Sequence, residues 1–152
     1  MNMVYSKDGL ALTKHFESCR LIPYYDVGGC LTNGWGNTHN VVRGQQITQE
    51  QADADLLTNL QEAVDAVNLY VSVPLRQSQF DSLVDLTFNC GVSAFKHSTL
   101  LRKLNALDYD GACDEFDRWV FDNGKVIPGL VRRRDAEQVL WDGDIRNTSI
   151  GK

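Results

Sequence analysis

Three absences narrow what this chain can be. It has no basic excess: 15 Lys and Arg stand against 20 Asp and Glu, a net charge of −5. That excludes a general affinity for nucleic acid, which rests on neutralising phosphates. It has no apolar run near the ~18 residues that a bilayer span needs, so membrane insertion is not expected. Its four cysteines, Cys19, Cys30, Cys90 and Cys113, include no C-x-x-C pair. A structural zinc site or a thioredoxin-like motif is therefore not expected.

Proline is scarce as well, with three in the chain, and no Pro- or Gly-rich linker, repeat or low-complexity tract appears. No export signal is visible, because Lys7 and Asp8 directly precede a short, interrupted apolar stretch. These absences predict a soluble chain made in the cytosol, with thiols packed as small apolar groups. Three disulfide pairings stay open if it reaches an oxidising compartment.

What is present is enough for one domain of 152 residues, which can bury roughly 70% of its unfolded surface. Ser6 is a plausible N-cap for a first helix, with Leu12, His15, Phe16 and Cys19 on its core side and an end near Cys19, before Pro23. Residues 20–46 change character: Gly28, Gly29, Gly34, Gly36 and Gly44 punctuate short segments such as Leu31 to Trp35. This is the one region that reads as strand, a small antiparallel sheet. Thr48-Gln49-Glu50-Gln51 fits a capping box. Behind it Leu56, Leu60, Ala63, Val64 and Val67 recur at helical spacing over about 49–71. The remainder reads as helices, one capped by Ser93, with a turn at NGKVIPG. The expected class is α+β: a sheet lobe at 20–46, a long connecting helix, and a helical lobe made of 1–19 with 72–152.

Glycoside hydrolysis needs two polar functions either side of one C–O bond, one to protonate the leaving oxygen and one to steady a water or attack. Glu17 suits the first role, since it falls at the end of the first helix, whose unpaired carbonyls disfavour a negative charge. Asp26 falls on the loop entering the sheet and Thr32 on its strand. Together they can hold one water. Tyr25 and Trp35 offer flat faces of the kind that sugars stack on, and small cores also use such faces. With 20 acidic residues in the chain, a Glu–Asp pair at this spacing arises easily by chance.

Longer stretches bear on the choice. E-x8-D-x5-T, here Glu17, Asp26 and Thr32, resembles the catalytic signature of the phage-type lysozymes, the endolysins of glycoside hydrolase family 24. LALTKHFE resembles that family's first helix and TNGWGNTH its sheet strand. QSQFDSLVDLTFNCGVSAFKHSTLLRKLN resembles its central helical hairpin, and GKVIPGLVRRRDAEQVLW its C-terminal segment. The resemblance implies a lysozyme-like fold and cleavage of the β-1,4 bond between N-acetylmuramic acid and N-acetylglucosamine in peptidoglycan. Glu17 would be the general acid, with Asp26 and Thr32 positioning the water. It implies no metal or cofactor, a monomer, and a stay in the host cytoplasm until a separate holin opens the way to periplasmic peptidoglycan. Asn37 stands where the family often has histidine, so no buried histidine ion pair is assigned.

Four further sites carry two readings each. Asn89 either lines the cleft or caps a helix. Arg134 either meets carboxylates of peptidoglycan stem peptides or pairs with Glu17 or helical acids. The run Arg132-Arg133-Arg134 reads as a solvated helix face or as a patch for an anionic substrate. His15 and Cys19 have a metal-like spacing but no further ligand, so they are read as structural, as is His97. Two rival functions remain: a lytic transglycosylase, which would not need the water-holding pair, and a catalytically silent peptidoglycan-binding module.

Overall fold

The computed structural model describes residues 2–143. In chain order its elements are α1 (Lys7–Phe16), β1 (Arg20–Tyr25), β2 (Leu31–Gly34), α2 (Gln49–Tyr70), α3 (Gln77–Cys90), α4 (Val92–Lys96), α5 (Thr99–Asn105), α6 (Tyr109–Glu115), β3 (Phe121–Asp122), β4 (Lys125–Val126) and α7 (Pro128–Trp141). The class is α+β, as expected, with helices dominant and two small antiparallel sheets. The chain divides into two compact units. Among the described residues, one is formed by 13–61 and the other by 2–12 together with 62–143.

The 13–61 unit is built on the β1–β2 hairpin. Tyr24 pairs with Thr32 and Tyr25 with Leu31; the register then slips before Arg20 meets Gly34. The slip contains Pro23, which has no N–H to give a ladder. Gly34 closes β2 at φ +54°, and a Cβ there would lie 3.2 Å from that of Ala52. Glycine therefore lets the strand end lie directly on α2. Thr48 caps α2 by accepting from the Gln51 N–H at 3.1 Å. Ala52, Leu56 and Leu60 along it are buried.

The other unit is helical. Ser6 caps α1: its hydroxyl accepts from the Gly9 N–H at 3.2 Å and donates to Asp81. Within it α3 is buried all round from Gln79 to Thr87, and α7 packs along it. Phe80, Leu83, Val84, Leu100, Leu104 and Leu140 fill the core. Phe116 and Trp141 meet edge to face at 5.7 Å.

Several sequence expectations need correction. Helix α1 stops at Phe16 rather than near Cys19, and His15 is exposed instead of facing the core. The residue capping a helix near 98 is Ser98, whose Oγ accepts from Leu101 N at 3.0 Å; Ser93 lies inside α4. NGKVIPG is not merely a turn. Asn123 (φ +50°) and Gly124 (φ +75°) make the two-residue bend of the β3–β4 hairpin, the arrangement that Asn-Gly favours. All four cysteines are unpaired.

The arginine run is not a solvated face. Arg132 is exposed, but Arg133 and Arg134 are 4% and 0% exposed. Arg133 clasps Asp85 through two bonds of 2.9 Å. Arg134 Nε lies 2.7 Å from Glu137 Oε1. Burial pushes the Glu137 carboxyl well above its usual range. The Asp85 carboxylate adds to the push, and Arg134 and Arg133 oppose it. A carboxyl raised in the fold keeps a proton that the unfolded chain releases. Its stabilisation is thus complete below the ordinary glutamate value of 4.5 and is lost as pH rises above it. Asp81, raised chiefly by burial, acts in the same direction. Glu137→Gln keeps the shape and removes one titration. Between about pH 5 and 8 the melting temperature of the variant is expected to fall less steeply than that of the parent. Parallel curves from thermal denaturation would reject this.

Candidate active site

Asp26 is the first residue beyond β1 and opens the five-residue loop 26–30. Its N–H donates to Cys30 O at 2.9 Å, its carbonyl accepts from Gly29 N at 2.9 Å, and its Oδ1 accepts from Cys30 N at 2.8 Å. Gly29 takes φ +83°, which lets the loop fold back on itself. Thr32, 3% exposed, donates its hydroxyl to Cys30 O at 2.9 Å. Both side chains are therefore tied to the backbone of one residue, the carboxylate to its N–H and the hydroxyl to its C=O. Among the described residues no hydrogen bond reaches Asp26 Oδ2.

Glu17 is the first residue beyond α1, its N–H donating to Thr13 O at 3.0 Å, and it is half-buried. It belongs to the same unit as Asp26 and Thr32. Its Oε1 lies against Gly36: a Cβ built on that glycine, at φ +82°, would sit 3.4 Å away. Residue 36 thus approaches this carboxyl with bare backbone and no side chain of its own.

Trp35 is held edge-on. Its indole N–H donates to Asp53 Oδ1 at 2.8 Å, and Gln49 Nε2 donates to the same oxygen at 3.0 Å. Lys14 Nζ lies 3.5 Å from Asp53 and 5.3 Å from the Trp35 ring centre. The Trp35 bond foremost, then Gln49 and Lys14, hold the Asp53 carboxyl below its usual range. Tyr25 is 59% exposed. Asn37 is buried. Its Nδ2 donates to Asn33 Oδ1 at 3.0 Å and to His39 O at 2.9 Å, and its Oδ1 accepts from Asn59 at 3.1 Å. An uncharged Asn–Asn pair thus occupies the place where a buried ion pair was in question.

Asn89 and Arg134 belong to the other unit. Asn89 is exposed near the end of α3 and lines a 570 Å³ groove with Cys90, Trp119 and Phe121. Arg134 Nη2 donates to Asn89 Oδ1 at 2.6 Å, while Nη1 donates to Cys90 Sγ at 2.9 Å and Trp119 O at 3.4 Å. A guanidinium with no exposed surface is not a contact for a stem peptide. The alternative that the structure realises is pairing with a helical acid, Glu137. No cluster of three or more His, Cys, Asp or Glu suited to a metal occurs among the described residues.

The Phage lysozyme family model matches residues 14–137. The chain belongs to the phage lysozyme family. It is 44% identical over 144 residues to an endolysin of Acyrthosiphon pisum secondary endosymbiont phage 1, covering 92% of this chain and 99% of that one. It is 39% identical to a SAR-endolysin of Escherichia phage Mu, covering 84% and 75%. A crystal structure of a P22 lysozyme mutant superposes with TM-score 0.83 at 38% identity, covering 91% and 98%. Two residues that shape the surroundings of Trp35 and Glu17 were not singled out from the sequence: Asp53 and Gly36. Asp53 gave no signal, since nothing local links it to a tryptophan 18 positions away. Gly36 stood in the TNGWGN strand but only as punctuation.

Proposed function

We propose that this chain is an endolysin that hydrolyses the β-1,4 bond between N-acetylmuramic acid and N-acetylglucosamine in bacterial peptidoglycan. The supporting observation is the Asp26–Cys30–Thr32 arrangement, on the unit that also carries Glu17, in a chain of this family. Thr32 spends its hydroxyl hydrogen on Cys30 O, so toward a water it offers lone pairs. Asp26 offers Oδ2. A water giving one hydrogen to each keeps a lone pair free for the anomeric carbon, and Asp26 takes the proton as the new bond forms. Glu17 supplies the proton to the departing oxygen.

Trp35, fixed by Asp53, and Tyr25 present aromatic faces to sugar rings. The carbonyl of Asn89 is committed to Arg134, so Asn89 offers substrate its N–H donors, and Arg134 acts on substrate only through it. No metal or cofactor takes part. The enzyme works as a monomer and waits in the host cytoplasm for a holin to open the way to the wall.

Purified protein is expected to clear permeabilised bacteria and to release fragments whose reducing ends carry one added water. Fragments with anhydro ends in mass spectrometry would indicate a transglycosylase. Binding without clearing would indicate a silent module.

A further inference from the structure

The 13–61 unit contains a cavity of about 340 Å³, which none of Glu17, Asp26 and Thr32 lines. One wall is a face of α2, where Gln51, Asp55, Thr58 and Asn59 follow helical spacing. Asn33, Asn37 and the segment after it form the other. Six of the eleven lining residues are carboxamides. Such a lining offers donors and acceptors together and little charge; its one carboxylate, Asp55, already accepts from Gln51 at 2.8 Å. It suits a neutral polar ligand and disfavours an anion.

The deepest residue points the same way. Asn33 is 4% exposed, and its Oδ1 is taken by Asn37 Nδ2. Its own Nδ2 donates to nothing among the described residues and is not one of the buried atoms left without a partner, so it is a donor that solvent reaches and whose pairing within the fold is incomplete. A carbonyl entering the cavity would complete that pairing. The volume lies at the small end of ligand sites.

We infer that this cavity is a second binding site for a neutral secondary amide of the cell wall, apart from the residues that cleave it. Two wall components carry that group: the acetamido arm of the amino sugars and the peptide bonds of the stem. The inference rests on the proposed substrate but not on catalysis by Glu17. Its place would be to hold the enzyme on an insoluble polymer between cleavages.

The test is a titration of the full chain carrying Glu17→Gln, followed through the side-chain NH₂ resonances of Asn33 and Asn59 by ¹⁵N NMR. One arm uses N,N′-diacetylchitobiose, the other N-acetyl-alanyl-alanine methylamide. Saturable shifts at both residues are expected in one arm, and the arm that gives them names the source. Thr58→Tyr, an exposed position on the cavity wall, is expected to abolish those shifts and to leave cleavage of soluble wall fragments by the otherwise unaltered enzyme in place. No shift in either arm, or shifts unchanged by Thr58→Tyr, would overturn the site. A protein that shows the shifts but never clears bacteria would overturn the proposed function alone.

Discussion

Glu17→Gln is expected to lower cell-wall hydrolysis by about 10²–10⁴-fold, the usual contribution of a positioned general acid. The amide has the size of the carboxyl and keeps its contacts beside Gly36, but it has no proton that it can surrender to a leaving oxygen. Glu17 is only half-buried and lies beyond the end of α1, so the melting temperature should stay near that of the parent. Binding to insoluble wall should likewise persist. The measurement is turbidity clearing at matched protein concentration, with circular dichroism and wall pull-down as controls. A variant within about tenfold of the parent would remove Glu17 from the acid role, since that lies below the range such groups supply.

The largest effect on stability is expected at Asp85, far from any proposed chemistry. Asp85 and Arg133 are 0% and 5% exposed at their side chains and are joined by two bonds of 2.9 Å. Asp85→Ala strands a guanidinium in the core. Breaking a buried pair from one side costs about 3–5 kcal/mol, because the remaining charge keeps its desolvation penalty and loses its compensation. For a chain of this size that is a fall in melting temperature of roughly 6–20 °C. Asp85→Leu with Arg133→Leu removes both charges together and is expected to recover much of the loss, as apolar replacements of buried pairs often do. Calorimetry of the single and double variants decides the matter. If the single variant melted within a degree or two of the parent, the pair would not be the clasp between α3 and α7 that its geometry describes.

Much of the fold was legible because its signals are local. Ser6 and Thr48 act as caps within three residues of themselves, and α2 follows its apolar spacing to within a residue of the expected range. The β3–β4 hairpin was equally local and was passed over: Asn123-Gly124 between Asp122 and Lys125 is the pairing that a tight bend asks for. The buried arginines were legible in part. Three consecutive residues sweep about 200° of a helix, so Arg132, Arg133 and Arg134 could not all face solvent on a helix that packs on one side. Which two turned inward depended on Asp85 and Glu137.

The sequence alone determined most of the helices, the first sheet and the α+β class, because caps and periodicity are properties of neighbouring positions; it offered Glu17, Asp26 and Thr32 as candidates through the family resemblance rather than through their spacing. Tertiary structure alone decided how those residues are held. Asp26 and Thr32 meet on Cys30 only once the hairpin closes in one register. Trp35 finds Asp53 across 18 positions, and Arg134 turns inward to Asn89 across 45. The physical reason is that a buried polar group must be paired or it costs stability, while the partner that pairs it is chosen by packing between distant segments.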